Sequence, residues 1–348
     1  FLITSLLLLL YGLVMVASAS VALGERDYGD PWFFFIRQLI YAGGGVLIGF
    51  FIVCALPLRS LQQMRFGLLG VAFVLLILVL VPGIGKMVNG SRRWIDLGFI
   101  NVQVSEIARL FVVIYLAGFI VQHEKDLRTS FRTFFTALFI LSSTSCFIVL
   151  EGDLGSPAVL FLVGLCMLFV AGMPKRYLLG MGILGIAAVG ILIWTEPYRM
   201  VRFTTFFRPF DDALGAGFQL SQAWIAIGRG DWVGVGIGSS MQKLFFLPEM
   251  HTDFIFAILA EELGLLGVVT LIGAYCLILW RGFTIARKAL IVGHHYSAYL
   301  AYGLVVWFGV QAFFNIGVNV GLLPTKGLPL PLVSYGGSNL VVMIVALS

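Results

Sequence analysis

The chain has 348 residues, 60% of them hydrophobic and 11% charged, and a formal net charge of +5. Soluble domains run nearer half apolar and a quarter charged, so this composition excludes a soluble globular domain. The cations are scattered without a basic run, which excludes a nucleic-acid binder. Four cysteines without paired spacing exclude a disulfide scaffold.

In chain order, nine stretches of eighteen or more residues hold no Asp, Glu, Lys or Arg: 1–24, 38–58, 66–85, 133–150, 154–174, 177–195, 263–280, 289–325 and 327–348. A membrane span needs about 20 mostly apolar residues, so each stretch predicts a membrane helix. A tenth span is predicted over 103–122, where Glu106 and Arg109 interrupt an apolar run. The expected fold is all-α: a polytopic integral membrane protein of about ten transmembrane helices, forming one transmembrane domain over 1–348. The first apolar run leads straight into this pattern, so no cleavable signal peptide is expected. Both ends of the chain fall inside apolar runs, and further tails are expected beyond them.

Ten spans put both termini on one side. Alternate short loops are expected to hold Arg59 and Arg65, then Lys125, Arg128 and Arg132, then Lys175 and Arg176, then Arg281, Arg287 and Lys288. The positive-inside rule assigns them, and both termini, to the cytoplasm. The outer side then receives one long loop between spans 7 and 8, about 195–252. Loops of this length are usually functional or disordered, and this one is too rich in Phe, Trp and Gly for disorder. Residues 213–228 are expected to form a short amphipathic or re-entrant helix. The GVGIGSS stretch at 234–240 follows no βαβ strand, so tight turns explain it better than a phosphate loop.

The long loop closes with LPEMHTDFIFAILAEELG (247–264), the densest polar constellation in the chain. Thr252 or Asp253 suits a helix N-cap, and Asp253 suits chemistry equally well at this depth. Glu261 and Glu262 lie about two turns deeper, where carboxylates normally serve a partner or a function. Three other polar sites fall on the same outer half: SRRWIDLG (91–98) with Arg92, Arg93 and Trp94, EGDLGSP (151–157) with Glu151 and Asp153, and LPTKGLPLPLVSYGGS (323–338) with Lys326. Trp94 also fits an interfacial belt. Glu106 and Arg109, three apart on one helix face, suit a local ion pair. Pro324, Pro329 and Pro331 forbid a regular helix and predict a rigid re-entrant segment. Together these sites predict a polar cavity open to the outside rather than a charged path across the bilayer. The four histidines make no metal-ligand spacing, and only His251 falls on the outer side.

In their order along the chain, GSRRWIDLG, QVSEIAR, GDLGS, QKLFFLPEMHTDFIFAILAEELG and LPTKGLPLPLVSYGGS resemble the SEDS family, the lipid II polymerases of bacterial cell-wall synthesis. The resemblance covers essentially the whole chain. Lys243, Arg229 and the Thr325-Lys326 pair are more similar to the division branch than to the elongation branch. The resemblance implies that Asp253 is catalytic, that Glu106 and Asp153 match acids of the fourth span and of the hairpin between the fifth and sixth, and that Trp94 belongs to a motif needed for activity. The sequence departs from the family pattern at Val104 (usually Pro), Arg109 (commonly Lys), Glu151-Gly152 (usually Gln-Pro) and Ala223 (frequently Ser).

The implied reaction joins two lipid II molecules on the outer face of the cytoplasmic membrane and releases undecaprenyl pyrophosphate. A sugar hydroxyl is a poor nucleophile and calls for a carboxylate within hydrogen-bond reach, the role assigned to Asp253. Candidates for holding substrate are Arg92, Arg93, Trp94, Glu106, Asp153, Arg199, Arg202, Lys243, His251 and Lys326, with Arg favoured for bidentate phosphate contacts. No cofactor is required by the pattern. A divalent cation such as Mg²⁺ could be shared by Glu106, Asp153 or Asp253 with phosphate oxygens. The implied partners are lipid II, a class B penicillin-binding transpeptidase (FtsI-like) and other divisome membrane proteins at the septum. Competing readings are a lipid II flippase or transporter, an elongation-type polymerase, and a scaffold that only recruits a transpeptidase.

Overall fold

The computed structural model describes residues 1–88, 91–96, 98, 101–127, 130–325 and 327–348. Arg128 and Lys326, singled out above, lie outside the described residues. Ten apolar helices follow the predicted order: α1 (Leu2–Tyr28), α2 (Phe33–Ala55), α3 (Leu58–Leu80), α4 (Val104–Gln122), α5 (Phe131–Leu150), α6 (Gly155–Val170), α7 (Lys175–Trp194), α10 (Ile255–Ile291), α11 (His295–Asn319) and α12 (Gly337–Leu347). Among the described residues, eight of these are long and apolar enough to cross a membrane, while α6 and α12 are shorter. The protein is a multi-pass, helical membrane protein. Most of the cations expected in short loops lie instead in helices that run past the charge-free stretches: Arg59 and Arg65 in α3, Arg132 in α5, Lys175 and Arg176 in α7, and Arg281, Arg287 and Lys288 in α10. A helix satisfies its own backbone hydrogen bonds and so need not end where the apolar stretch does.

The long loop contains two further helices, α8 (Pro197–Phe206) and α9 (Phe218–Gly230). The second is the short helix expected near 213–228. The sequence reading did not anticipate a three-stranded antiparallel sheet, β1 (Gly85–Val88), β2 (Ser91–Asp96) and β3 (Asn101–Gln103), in the order β1-β2-β3. It turns 91–96 from a loop into a braced strand.

Clustering of the fold yields two compact units, each assembled from three stretches of chain. One comprises Phe1–Gly44, Gly190–Ile278 and Gln311–Leu340; the other comprises Gly45–Val189, Leu279–Val310 and Val341–Ser348. In the first, α10 is broken at Gly264, whose φ of 63° and ψ of −162° lie outside helical values. The break lets the loop dock edge-on: Val235 and Gly236 N–H donate to the carbonyls of Glu261 and Glu262 (3.0 Å each), and Leu265 N–H donates to Asp231 O (2.9 Å). A Cβ on Gly264 would collide with the backbone of Gly234 and Trp232, and one on Gly234 with Glu262 O. Both glycines are needed for this close approach.

The described residues of 320–325 and 327–336 are irregular, as the prolines there demand. Irregular backbone at membrane depth must find partners within the protein, and here side chains of the surrounding helices supply them. Tyr275 Oη donates to Pro331 O, Gln311 Nε2 to Pro329 O, Asn315 Nδ2 to Leu328 O and Gln38 Nε2 to Ser334 O, all at 2.6–3.0 Å.

Candidate active site

In the first unit the polar constellation is built around the start of α10. Asp253 sits in the turn before Ile255 and is half-buried. Its main-chain carbonyl accepts from Asn315 Nδ2 at 2.9 Å and Asn319 Nδ2 at 3.0 Å, two side chains one turn apart on α11. The residues before it are tied to the irregular segment: Ser334 Oγ donates to Thr252 O (2.6 Å) and Tyr335 N–H to His251 O (2.8 Å). The Thr252 hydroxyl turns back to the Glu249 carbonyl and carboxylate, at 3.2 and 2.8 Å. Gly327 packs close to the Asp253 carboxylate, and a Cβ there would lie 3.1 Å from Oδ2. A carboxylate on a fixed backbone can accept a proton from a group brought against it.

His251 is buried between the rings of Phe34 and Tyr335, with centroids 4.9 and 5.3 Å away. Burial pushes its pKa below the usual imidazole value, with the nearby Glu249 charge opposing. A neutral, ring-packed histidine braces the turn that carries Asp253.

Glu261 and Glu262 are fully buried. Glu261 accepts from Arg229 Nη1 and Met241 N–H, both at 3.1 Å, and from the Ser240 hydroxyl. Glu262 accepts from Ser18 Oγ of α1 at 2.6–2.8 Å and from Lys243 Nζ at 3.1 Å. Lys243 is thus buried on a carboxylate. Arg199 donates to Leu192 O at 3.1 Å, and Arg202 lies over the Tyr198 ring at 4.8 Å. Both arginines are half-buried on α8, a helix without a buried residue.

The second unit holds the other group. In β2, alternate residues face opposite ways. Arg92 pairs with Met87 and Trp94 with Lys86 and Gln103. Arg93, between them, points its guanidinium toward Asp153 Oδ2 at 3.8 Å. Asp153 acts as a cap for α6: Oδ1 accepts from the N–H groups of Gly155 (2.8 Å) and Ser156 (3.2 Å), and Oδ2 accepts from the Ser156 hydroxyl (2.6 Å). Acceptors at a helix start satisfy otherwise unpaired N–H groups. Glu151 is 1% exposed, and neither of its carboxyl oxygens has a hydrogen-bond partner among the described residues. Burial, reinforced by Asp153 and opposed by Arg93, pushes its pKa up to about 9. Glu106, in the first turn of α4, forms the expected ion pair with Arg109 in a fully buried setting, and Arg109 also lies 5.2 Å from the Trp307 ring centroid. The positive end of the α4 dipole favours a carboxylate at that place.

Among the described residues, ten apolar helices, a proline-broken segment satisfied by side chains, and an anchored carboxylate at the start of a span define a polytopic membrane protein with an acidic cluster in its first unit. Known proteins give this class an identity. The family model described as "Cell cycle protein", that of FtsW, RodA and SpoVE, matches residues 1–348. The chain belongs to this family, as the resemblance implied. It is 47% identical over 342 residues to a relative from Alcanivorax borkumensis, covering 98% of this chain and 89% of the relative. It is 48% identical over 342 residues to another from Thioalkalivibrio sulfidiphilus, covering 98% and 85%. Both bear the name "Probable peptidoglycan glycosyltransferase FtsW". Among solved structures, a chain from a peptidoglycan synthase complex that couples polymerization and crosslinking superposes with a TM-score of 0.75 at 30% identity, covering 97% of this chain and 94% of that one. The rod shape determining protein RodA of Thermus thermophilus gives 0.72 at 27% identity, covering 99% and 92%.

Sequence reasoning missed Asn315, Asn319, Ser18, Gln38 and Ser334. Their signal was available: amides and hydroxyls inside apolar spans find partners across helices, and Asn315 and Asn319 are spaced to share one face.

Proposed function

We propose that this protein is a peptidoglycan glycosyltransferase that polymerises lipid II on the outer face of the bacterial cytoplasmic membrane during septal wall synthesis, with its termini in the cytoplasm. The observation that carries the reading is Asp253: a half-buried carboxylate at the start of α10 whose backbone is held by Asn315 and Asn319. The 4-hydroxyl of the acceptor GlcNAc attacks the anomeric carbon of the donor MurNAc. A C–O bond forms as the bond to undecaprenyl pyrophosphate breaks, with inversion, and the hydroxyl proton passes to Asp253 as attack proceeds. Pyrophosphate leaves readily once its charge is matched, so cations replace a second carboxylate acting as general acid. Arg199, Arg202 and Lys326 are assigned to the pyrophosphates and phosphate-bearing head groups of the substrates, with arginine suited to bidentate contacts.

Glu106 faces Arg109, and Asp153 is occupied by the α6 start and Arg93. A divalent cation sharing the pyrophosphate charge would need one or two carboxylates together with phosphate oxygens, the sparse ligation Mg²⁺ tolerates. The similar chain from a peptidoglycan synthase complex that coordinates polymerization with crosslinking supports a class B penicillin-binding transpeptidase as partner. The test is purified protein with that transpeptidase and labelled lipid II, comparing wild type with Asp253→Ala. Glycan strands from the wild type alone support the reading. Strands from both would overturn the assignment of Asp253, and lipid transfer without polymer would favour a flippase.

A further inference from the structure

We propose that Lys243 and Glu262 are positioning residues: their buried ion pair closes the base of the loop that carries Asp253 and thereby sets where its carboxylate stands. This rests on the reading of Asp253 as the catalytic base. It also moves Lys243 away from the set of cations expected to touch pyrophosphate.

Lys243 and Glu262 are nineteen residues apart, and Asp253 lies near the midpoint between them. The pair therefore closes a short stretch of chain, loop as far as Phe254 and α10 beyond it, with the acid near its middle. Closing a loop removes conformational freedom from everything within it. The clasp has three members, because Ser18 of α1 donates to Glu262 Oε1 and Oε2 and lies 3.5 Å from Lys243 Nζ. It therefore fixes the loop against α1 and α10 at once. Glu262 is fully buried and Lys243 nearly so, and a buried charge holds its place only while its partner is present. Lys243 thus has its charge matched before any substrate arrives.

A second, parallel fastening lies alongside. Glu261 gathers the N–H groups of Met241 and Gln242, the Ser240 hydroxyl and Arg229. The N–H groups of Val235 and Gly236 close onto the Glu261 and Glu262 carbonyls. Two neighbouring glutamates on α10 thus hold both the side chains and the backbone of the incoming loop. From Glu262, about two turns of helix lead back to Asp253, whose carbonyl Asn315 and Asn319 fix from α11. Breaking the clasp frees the middle of this stretch while these last two hydrogen bonds remain.

The test is a double-mutant cycle on the full chain with its transpeptidase: Lys243→Met, Glu262→Gln and both together. Each single variant leaves one buried charge unmatched. Each is expected to lower kcat at least tenfold, with KM for lipid II within twofold of wild type. The double variant, neutral at both positions, is expected to recover to within about threefold of the wild-type kcat. Lys243→Arg, which keeps the pair, should also stay within threefold. Amide hydrogen exchange at Val235 and Gly236 supplies a readout independent of turnover: faster in each single variant, restored in the double. A double variant as slow as the product of the singles, or a single Lys243→Met effect confined to KM, would overturn the proposal by placing Lys243 on the substrate. Exchange unchanged in both singles would overturn it as well. Failure of the Asp253 reading shows separately, as polymerisation by Asp253→Ala with the exchange pattern intact.

Discussion

Glu151 offers a quantitative handle on the second unit. It is 1% exposed, its carboxyl oxygens have no hydrogen-bond partner among the described residues, and its pKa rises from an ordinary 4.5 to about 9. Between those values the folded protein keeps a proton that the unfolded chain has released. The stability contributed by the neutral form is present in full below pH 4.5. It declines as pH rises and is lost above about 9. The decline cannot exceed about 1.4 kcal/mol per pH unit, or roughly 6 kcal/mol over the whole window. Glu151→Gln keeps the shape and removes the titration, and the family resemblance places Gln there. Thermal melts of both proteins at pH 6, 7, 8 and 9 isolate the effect as a difference in slope, whatever offset the amide brings. The gap in favour of Glu151→Gln is expected to widen by up to about 1.4 kcal/mol per unit, a few degrees in melting temperature. Parallel curves across this range would refute a neutral, buried Glu151.

Other outcomes follow from the same geometry. Gly264→Ala forces a Cβ into the backbone of Gly234 and Trp232 at a positive φ, so a loss of several kcal/mol or failure to accumulate folded protein is expected in a melt or expression assay. Arg109→Met leaves Glu106 buried without its partner and should cost about 3–5 kcal/mol, while adding Glu106→Gln should restore much of it; stability measurements on both decide this. Asn319→Ala removes one of two donors to the Asp253 carbonyl. A loss of about 0.5–1.5 kcal/mol in stability is expected, with a lowered polymerisation rate when Asn315 is changed as well.

The spans were legible because lack of charge over about 20 residues has one physical meaning in a chain this apolar. The irregular course of 320–325 and 327–336 was legible from Pro324, Pro329 and Pro331, which cannot donate N–H groups to a helix. Asp253 stood out as an acid where the chain re-enters an apolar run. The sheet was harder to see, since its strands are short and Arg92, Arg93 and Trp94 show no polar–apolar alternation. The Asn89-Gly90 pair, a strong hairpin signal, was the available clue. The pairing of Lys243 with Glu262 was not legible, because a charge pair nineteen residues apart carries no local sequence pattern and its third member, Ser18, lies 225 residues from Lys243. The sequence likewise marked Asp153 as an acid near a helix start without revealing that its oxygens are taken by Gly155 and Ser156.

The central claim is that the Asp253 carboxylate takes part in the chemistry. Asp253→Asn tests it most directly, because it keeps the side-chain shape and the carbonyl held by Asn315 and Asn319 while removing the negative charge. With labelled lipid II and the transpeptidase partner, the variant is expected to melt within a few degrees of wild type yet form no glycan strands. Strand formation by Asp253→Asn at the wild-type rate would contradict the account.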